Sequence, residues 1–467
     1  MHTVVSVALV VGYVVVLTFV AVRARAAREY AEFSVARRAL PLPLIFGSLA
    51  ATYVGPGFCI GFVGRGFHSG FFFLLIGLVY SLQHVLVGFL VAPRLRALHD
   101  CHTLGDVIGQ KYNRTCQMFA GIISVSVCAF LSAVMAHGGR VILNDMLGVP
   151  GWLAVLIVVG VTALYTTSGG LRASVITDAF QFAAFAILLP ATLLVVLVFH
   201  LKEGSAGFVA QAVATTQSGL ASLSPLQIAG FIAAFLLGET LIPPYANRAL
   251  ASQTTGISRN GFVLAGLFSV AWFAVMVSLG VAAHGVIPED TGDDHVLLHL
   301  VRAVMSSEGH ALLLVILVSV VMSSLDSLMN AGAVAFAQDV VKPVVKLTDE
   351  AALRTGRWAT IAIAVVAAVA TPVVPSIIDG LLICYTLWAS AILPALILGL
   401  WVREPRPLAC ILSMAVGTVV AIVAIIVLFA FPEALGVSVI IVPALAASLL
   451  AYLLGHWMAA RPAGGTA

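Results

Sequence analysis

Thirteen apolar stretches follow one another along the chain, separated by short polar or charged loops. They run over about 4–23, 42–66, 70–92, 117–147, 151–168, 174–200, 226–251, 259–284, 308–339, 358–374, 376–401, 408–431 and 437–458. A bilayer core asks for about 20 apolar residues per helix, and only elements that satisfy their own backbone polar groups can cross it. The pattern predicts an all-α membrane protein of about 13 transmembrane helices in one polytopic domain.

Charge gives these spans a direction. With the N-terminus outside, all of the 23 Lys and Arg except Arg65, Arg140, Lys202 and Arg302 fall in inner loops. They run from Arg23, Arg25, Arg28, Arg37 and Arg38 through Arg94, Arg96, Arg248, Arg259, Lys342 and Lys346 to Arg461. That bias is the positive-inside rule, and it places the acidic run Glu289, Asp290, Asp293, Asp294 outside. The predicted topology is N-out/C-in. The first span carries its Arg cluster behind it and no basic stretch in front, so it reads as a retained helix, not a cleaved signal.

Composition narrows the function. The 467 residues are 61% hydrophobic and 9% charged, against roughly a quarter charged in a soluble domain. A net charge of +3 forms no basic stripe, so no nucleic-acid partner is expected. Cys59, Cys101, Cys116, Cys128, Cys384 and Cys410 show no metal spacing and read as reduced packing residues. The histidines are scattered, and the i, i+4 pair His295/His299 in an outer loop reads as a solvated face. No His-Glu-x-x-His and no Gly-x-Ser-x-Gly with partners is present, so the chain is not expected to be an enzyme.

Two spans are interrupted. One reads Gly47-Ser48-Leu49-Ala50-Ala51-Thr52-Tyr53-Val54-Gly55-Pro56-Gly57, the other Gly238-Glu239-Thr240-Leu241-Ile242-Pro243-Pro244-Tyr245. Proline removes a donor and clashes with an upstream carbonyl, which frees carbonyls for other partners. Each break lies in the first helix of a five-helix set, 42–200 and 226–401. Odd-numbered repeats run with opposite topology, and transporters built that way bind substrate where helices are broken. The expected architecture is an inverted 5+5 repeat core with an extra N-terminal helix at 4–23 and two peripheral C-terminal helices at 408–458.

Gly169-Gly170-Leu171-Arg172-Ala173-Ser174-Val175-Ile176-Thr177-Asp178-Ala179-Phe180-Gln181 resembles the signature loop and fifth core helix of the sodium:solute symporter family. Met322-Ser323-Ser324-Leu325-Asp326-Ser327-Leu328-Met329-Asn330 resembles that family's eighth core helix. The resemblance covers about residues 5–400 and implies a LeuT-like fold and sodium coupling. It implies a sodium site made of Ala51 O, Val54 O, Ser323 Oγ and Ser324 Oγ, with Asp178 beside it as ligand or electrostatic support. Oxygen ligands suit this hard cation. Val320 stands where some members carry a hydroxyl for a second sodium, so one Na+ is expected. A hydroxyl bonded back to its own helix remains the alternative role for the serines.

The solute is expected between the breaks, against Tyr53, Gly57 and Phe58 on one side and Glu239, Ile242 and Tyr245 on the other. Leu131, Val134 and His137 would join from the third core helix. Glu239 can bind an amine or carry a proton, or pair with Arg140 or exposed backbone N–H. Residues 238–252 and Ala51–Gly55 are similar to the family's choline-transporter-type branch, but Leu131 and Ile242 stand where that branch has tryptophans. An aromatic cage for a quaternary ammonium is thereby reduced to Tyr53, and an amino acid, amine or carboxylate remains open.

The expected function is a sodium-coupled secondary active symporter importing a small organic solute by alternating access. The alternatives are proton coupling on the same fold and a solute-sensing receptor. Such a receptor usually carries a soluble output domain, whereas this sequence stops at Ala467, shortly after its last span. The expected location is the bacterial inner membrane, with lipid and the solute as partners and no protein partner implied.

Overall fold

In the computed structural model, residues 2–23, 27–203, 208–431 and 436–460 are described. Arg25 and Arg461, used above to orient the chain, lie outside the described residues, as do the side chains of Arg23 and Lys202. The fold is all-α. Among the described residues the sole β pairing is an isolated parallel bridge between Leu40 and Ser252.

The helices are α1 (His2–Arg23), α2 (Leu42–Tyr53), α3 (Gly57–Ser69), α4 (Phe72–Leu90), α5 (Arg114–Leu147) and α6 (Gly151–Glu203). After them come α7 (Pro225–Ala233), α8 (Pro243–Ala251), α9 (Thr255–Val281), α10 (Val296–Val304) and α11 (Ser307–Ala335). The last four are α12 (Asp349–Ala370), α13 (Ile377–Trp401), α14 (Pro407–Ala430) and α15 (Ile441–Ala460). Among the described residues ten helices are long and apolar enough to cross a bilayer, or eleven with α2 and α3 counted as one bent span.

Several boundaries follow from local chemistry. Asn113 and Thr254 cap α5 and α9 by accepting backbone N–H groups of Cys116 and Ile257. Ser224 and Gln227 form a reciprocal capping box at the start of α7. The joined segments 151–168 and 174–200 meet inside α6 at Gly170, whose φ of 61° and ψ of −164° break the helical path. Only glycine tolerates that conformation readily, and a Cβ there would also stand 2.6 Å from Phe33 Cα.

Burial sorts the helices into layers. An 18-residue window of α11 is 89% buried, against 22% in α14, so α11 is the axis of the bundle and α14 faces outward. Around α11 pack α5, α6 and α12, and α1 lies against α6 and α11. The pair α14 and α15 pack on each other and on α13. Leucines such as Leu164, Leu194 and Leu450 stay exposed on the periphery, which is where an apolar solvent would replace water.

Candidate functional site

Helix α2 ends at Tyr53 because Val54 leaves the helical region (φ −97°, ψ 48°) and Pro56 follows two residues later. The chain resumes in a π-wound turn, Gly57–Gly61, at 62° to its former direction. At the bend, a Cβ on Gly55 would lie 2.9 Å from Ser324 Oγ and 3.4 Å from Met135 Sδ. Glycine here lets the broken backbone approach α11. Among the described residues Ser324 Oγ is buried with no hydrogen-bond partner, while Val54 O receives a Cys59 Sγ contact at 3.6 Å. Ser323 differs from its neighbour, because its hydroxyl donates back to Val320 O at 2.9 Å.

One turn along α11 lies a buried polar seam. Arg248 Nη2 donates to Asp178 Oδ2 at 2.9 Å, with both side chains fully buried. Ser48 Oγ donates to the same carboxylate oxygen at 2.6 Å. Asp326 Oδ1 accepts from Ser174 at 3.0 Å and from Ser327 at 3.1 Å. Thr52 Oγ1 lies 3.4 Å from Ser327 Oγ, so the seam joins α2, α6, α8 and α11. Asp178 Oδ1 is buried without a partner among the described residues.

These positions change one expectation. Arg248, assigned above to an inner loop, is 0% exposed and neutralises Asp178 inside the bundle. Its helix starts at the second break and runs between packed neighbours, so its charge lies in the protein interior and marks no membrane surface. Asp178 makes its hydrogen bonds to Ser48, Arg248 and Ser327, none of them to Ser323 or Ser324. Asp326 likewise bonds Ser174 and Ser327, not Ser323.

The second break is built differently. Residues Ala234–Gly238 are π-wound, Leu241 takes a left-handed φ of 53°, and Pro243 starts α8. Trp388 Nε1 donates to Thr240 O at 2.8 Å, and Gln83 Nε2 donates to Thr240 Oγ1 at 2.8 Å. Glu239 is buried at this bend. Tyr245 and Tyr385 donate their hydroxyls to its two carboxylate oxygens. Among the described residues no Lys or Arg pairs with it. Arg140, the partner considered above, instead lies 3.2 Å from His137 Nδ1.

A cavity of about 20 Å³ separates the breaks, lined by Gly57, Phe58, Leu131, Glu239, Ile242, Tyr245, Ser324 and Leu381 among others. That is room for a water molecule. Six of the nine residues expected to contact solute meet here, and Val134 lines a separate apolar pocket with Phe130 and Cys384. Tyr53 does not line the cavity, but its ring centroid is 4.2 Å from that of Tyr245 and 3.4 Å from that of His84. His137 is elsewhere, on a vestibule of about 560 Å³ with Arg140, Asp293, Asp294, His295 and Asp379. Its Nε2 lies 3.3 Å from Asp294 Oδ2. From Leu131 to His137 is six residues, about 9 Å along a helix and onto another face.

Apolar contacts divide vestibule from cavity. A Cβ on Gly57 would meet Leu381 Cδ1 at 2.3 Å, and one on Gly138 would meet Pro56 Cβ at 2.8 Å. Arg65 ties this end together through Asp293 at 3.0 Å and Asp379 at 3.1 Å. Tyr385, which donates to Glu239, and Leu381, which lines the cavity, complete the site, with Tyr80 stacked on Phe58 at 4.6 Å behind it; no sequence signal marked the three. The need of a buried carboxylate for donors is the signal that could have led to Tyr385; Tyr245 was expected at the solute site and not as a donor to Glu239.

Two broken helices facing each other across a buried polar site, inside a bundle of apolar helices, define a LeuT-like secondary transporter. Residues 33–417 match the sodium:solute symporter family, and the chain belongs to that family. It is 24% identical over 471 residues to the sodium/pantothenate symporter of Escherichia coli, covering 96% of this chain and 95% of that protein. It is 23% identical over 393 residues to rat sodium/glucose cotransporter 2, covering 72% and 58% respectively. A Na+-coupled sialic acid symporter solved in a substrate-bound outward-open state shares the fold, with a TM-score of 0.84, 15% identity and 98% coverage of both chains. The protein is an integral multi-pass membrane transporter, not an enzyme.

Proposed function

We propose that this chain imports a small cationic amine, coupling its uptake to inward sodium flow by alternating access. The observation that carries the coupling ion is the pair of buried oxygens Ser324 Oγ, beside Gly55 in the first break, and Asp178 Oδ1, on the carboxylate that Ser48 of α2 donates to, neither with a partner among the described residues. With both carboxylates ionised, Asp178 and Asp326 face one guanidinium, Arg248, and the seam is one positive charge short. A cation near the break supplies it. Ala51 O, Val54 O and Ser324 Oγ are its ligands, with Ser323 joining if its hydroxyl turns from Val320 O, and Asp178 supports it from the seam.

The solute class follows from Glu239. A buried carboxylate held by two tyrosine hydroxyls, with Phe58 and Tyr245 beside it, suits an ammonium between a negative charge and aromatic faces. It disfavours an acid such as the pantothenate in the name of the E. coli relative. Solute entry parts Leu381 from Gly57 and enlarges the cavity; sodium binding ties α2 to α11 and favours the conformation that accepts solute.

In this reading 42–200 and 226–401 are the inverted repeats, 4–23 and 408–458 are peripheral, and thirteen crossings run N-out/C-in in a bacterial inner membrane. Proton coupling is the second reading, because a proton on Asp326 balances the seam equally well. The test is uptake by proteoliposomes of a panel of amines, amino acids, carboxylates and sugars under sodium or proton gradients. Accumulation of an amine driven by sodium alone supports the proposal. Accumulation driven by protons alone transfers the coupling to the second reading, and binding without accumulation of any solute favours a sensor.

A further inference from the structure

At the vestibule's rim the chain brings together two segments that are far apart in sequence. Asp145 lies near the C-terminal end of α5; His295 and His299 flank and enter α10, one helical turn apart. The carboxylate and imidazole donor atoms of the three residues all lie within 4.8 Å of one another. His295 Nδ1 is 2.5 Å from Asp145 Oδ2, and the two imidazole centroids are 6.0 Å apart. Spacing of four residues puts two side chains on one helix face, and Asp145 supplies a third ligand that sequence spacing could not reveal. The pair is therefore more than a solvated face.

We infer that Asp145, His295 and His299 form a binding site for a divalent transition-metal ion, Zn2+ being the best match. Two neutral imidazoles and one carboxylate are a borderline donor set, and a tetrahedral zinc takes three protein ligands with water in the fourth position. Zinc–ligand distances near 2.1 Å put ligand atoms about 3.4 Å apart. Binding would widen the 2.5 Å His295–Asp145 contact and narrow the longer separations from at most 4.8 Å. The site is also braced, because Arg302 donates to the Asp145 main-chain carbonyl and so fixes the end of α5 against α10. Ca2+ and Mg2+ are disfavoured, since they ask for six or more oxygens.

The ion would staple two walls of the vestibule. The segment that carries His295 also holds Asp293, paired with Arg65, and Asp294, which accepts from the backbone N–H of Ile377 at the start of α13. Binding there joins α5 to the loop that already ties α3 to α13.

The experiment uses the full-length protein with affinity tags removed, in detergent. Calorimetric titration with ZnCl2 should show one site per chain, and Co2+ should give the visible absorption of a low-coordinate complex. The His299→Gln and Asp145→Asn variants should each lose about tenfold or more in Zn2+ affinity, by comparison with losses seen when mere supporting groups are removed. Zn2+ should raise the unfolding temperature of the parent and not of the variants. Equal Zn2+ affinity and stoichiometry in parent and both variants overturns the assignment. His299 is partly exposed, so its variant keeps the test valid if Asp145→Asn folds poorly.

Discussion

Arg248 and Asp178 pair at 2.9 Å with neither side chain exposed. Removing one partner of a buried pair leaves an uncompensated charge and costs about 3–5 kcal/mol. Asp178→Asn and Arg248→Met should each lower the unfolding midpoint of the detergent-solubilised protein clearly. The double variant should lose less than the two losses together, because neither charge is then stranded. Additive losses would show that the pair is not energetically coupled.

The adjacent serines of α11 should behave unequally. Ser324 Oγ is buried beside Gly55 without a partner among the described residues, whereas the Ser323 hydroxyl is bonded to Val320 O. Ser324→Ala should therefore raise the sodium concentration for half-maximal uptake about tenfold, equivalent to about 1.4 kcal/mol. Ser323→Ala should change it less than about threefold. The reverse order, in the same proteoliposome assay, would move the ion to Ser323.

The helix breaks were legible in the sequence because glycine and proline act locally, and both predicted interruptions are present at Val54–Pro56 and Glu239–Ile242. The buried seam was not legible. Asp178 and Arg248 are 70 residues apart, and a rule that reads arginine as a surface marker has no way to know that a carboxylate waits in the interior. His137 failed for another reason. It shares a helix with Leu131, but depth and face both change over six residues, and only the packing of Pro56 on Gly138 shows where the cavity ends. The Tyr385 donor to Glu239 comes from a helix that carries no motif at all.

Glu239 offers the sharpest test of solute class. Glu239→Gln keeps the size of the side chain and removes its charge. If an ammonium pairs with this carboxylate, apparent affinity for the transported amine should fall at least about thirtyfold, since truncating one member of a desolvated charge pair costs 2–5 kcal/mol. Tyr385→Phe removes one donor, leaves the charge, and should cost about tenfold. The unfolding midpoint serves as the control for folding. A Glu239→Gln protein with unchanged amine affinity and intact coupling would remove Glu239 from the solute site.

His102 lies outside the membrane spans, between residues 92–97 and the short helix Leu104–Lys111. Its Nδ1 is 2.7 Å from Ser34 Oγ, and its ring stacks on Tyr30 at 5.7 Å. Burial, reinforced by the charges of Lys342 and Arg38, pushes its pKa down to about 4 from the usual 6.5. Between those values the unfolded chain binds a proton that the folded chain refuses, so stability falls as the pH drops from about 6.5 towards 4. Above 6.5 both states hold a neutral ring and the contribution is flat. The full difference is on the order of 3 kcal/mol. His102→Gln does not titrate, so the gap between parent and variant unfolding midpoints should be constant above pH 7 and shift against the parent on acidification. A gap that stays constant down to pH 4.5 would mean that the ring takes up its proton equally well in the folded state, with room for a charge between Tyr30 and Ser34.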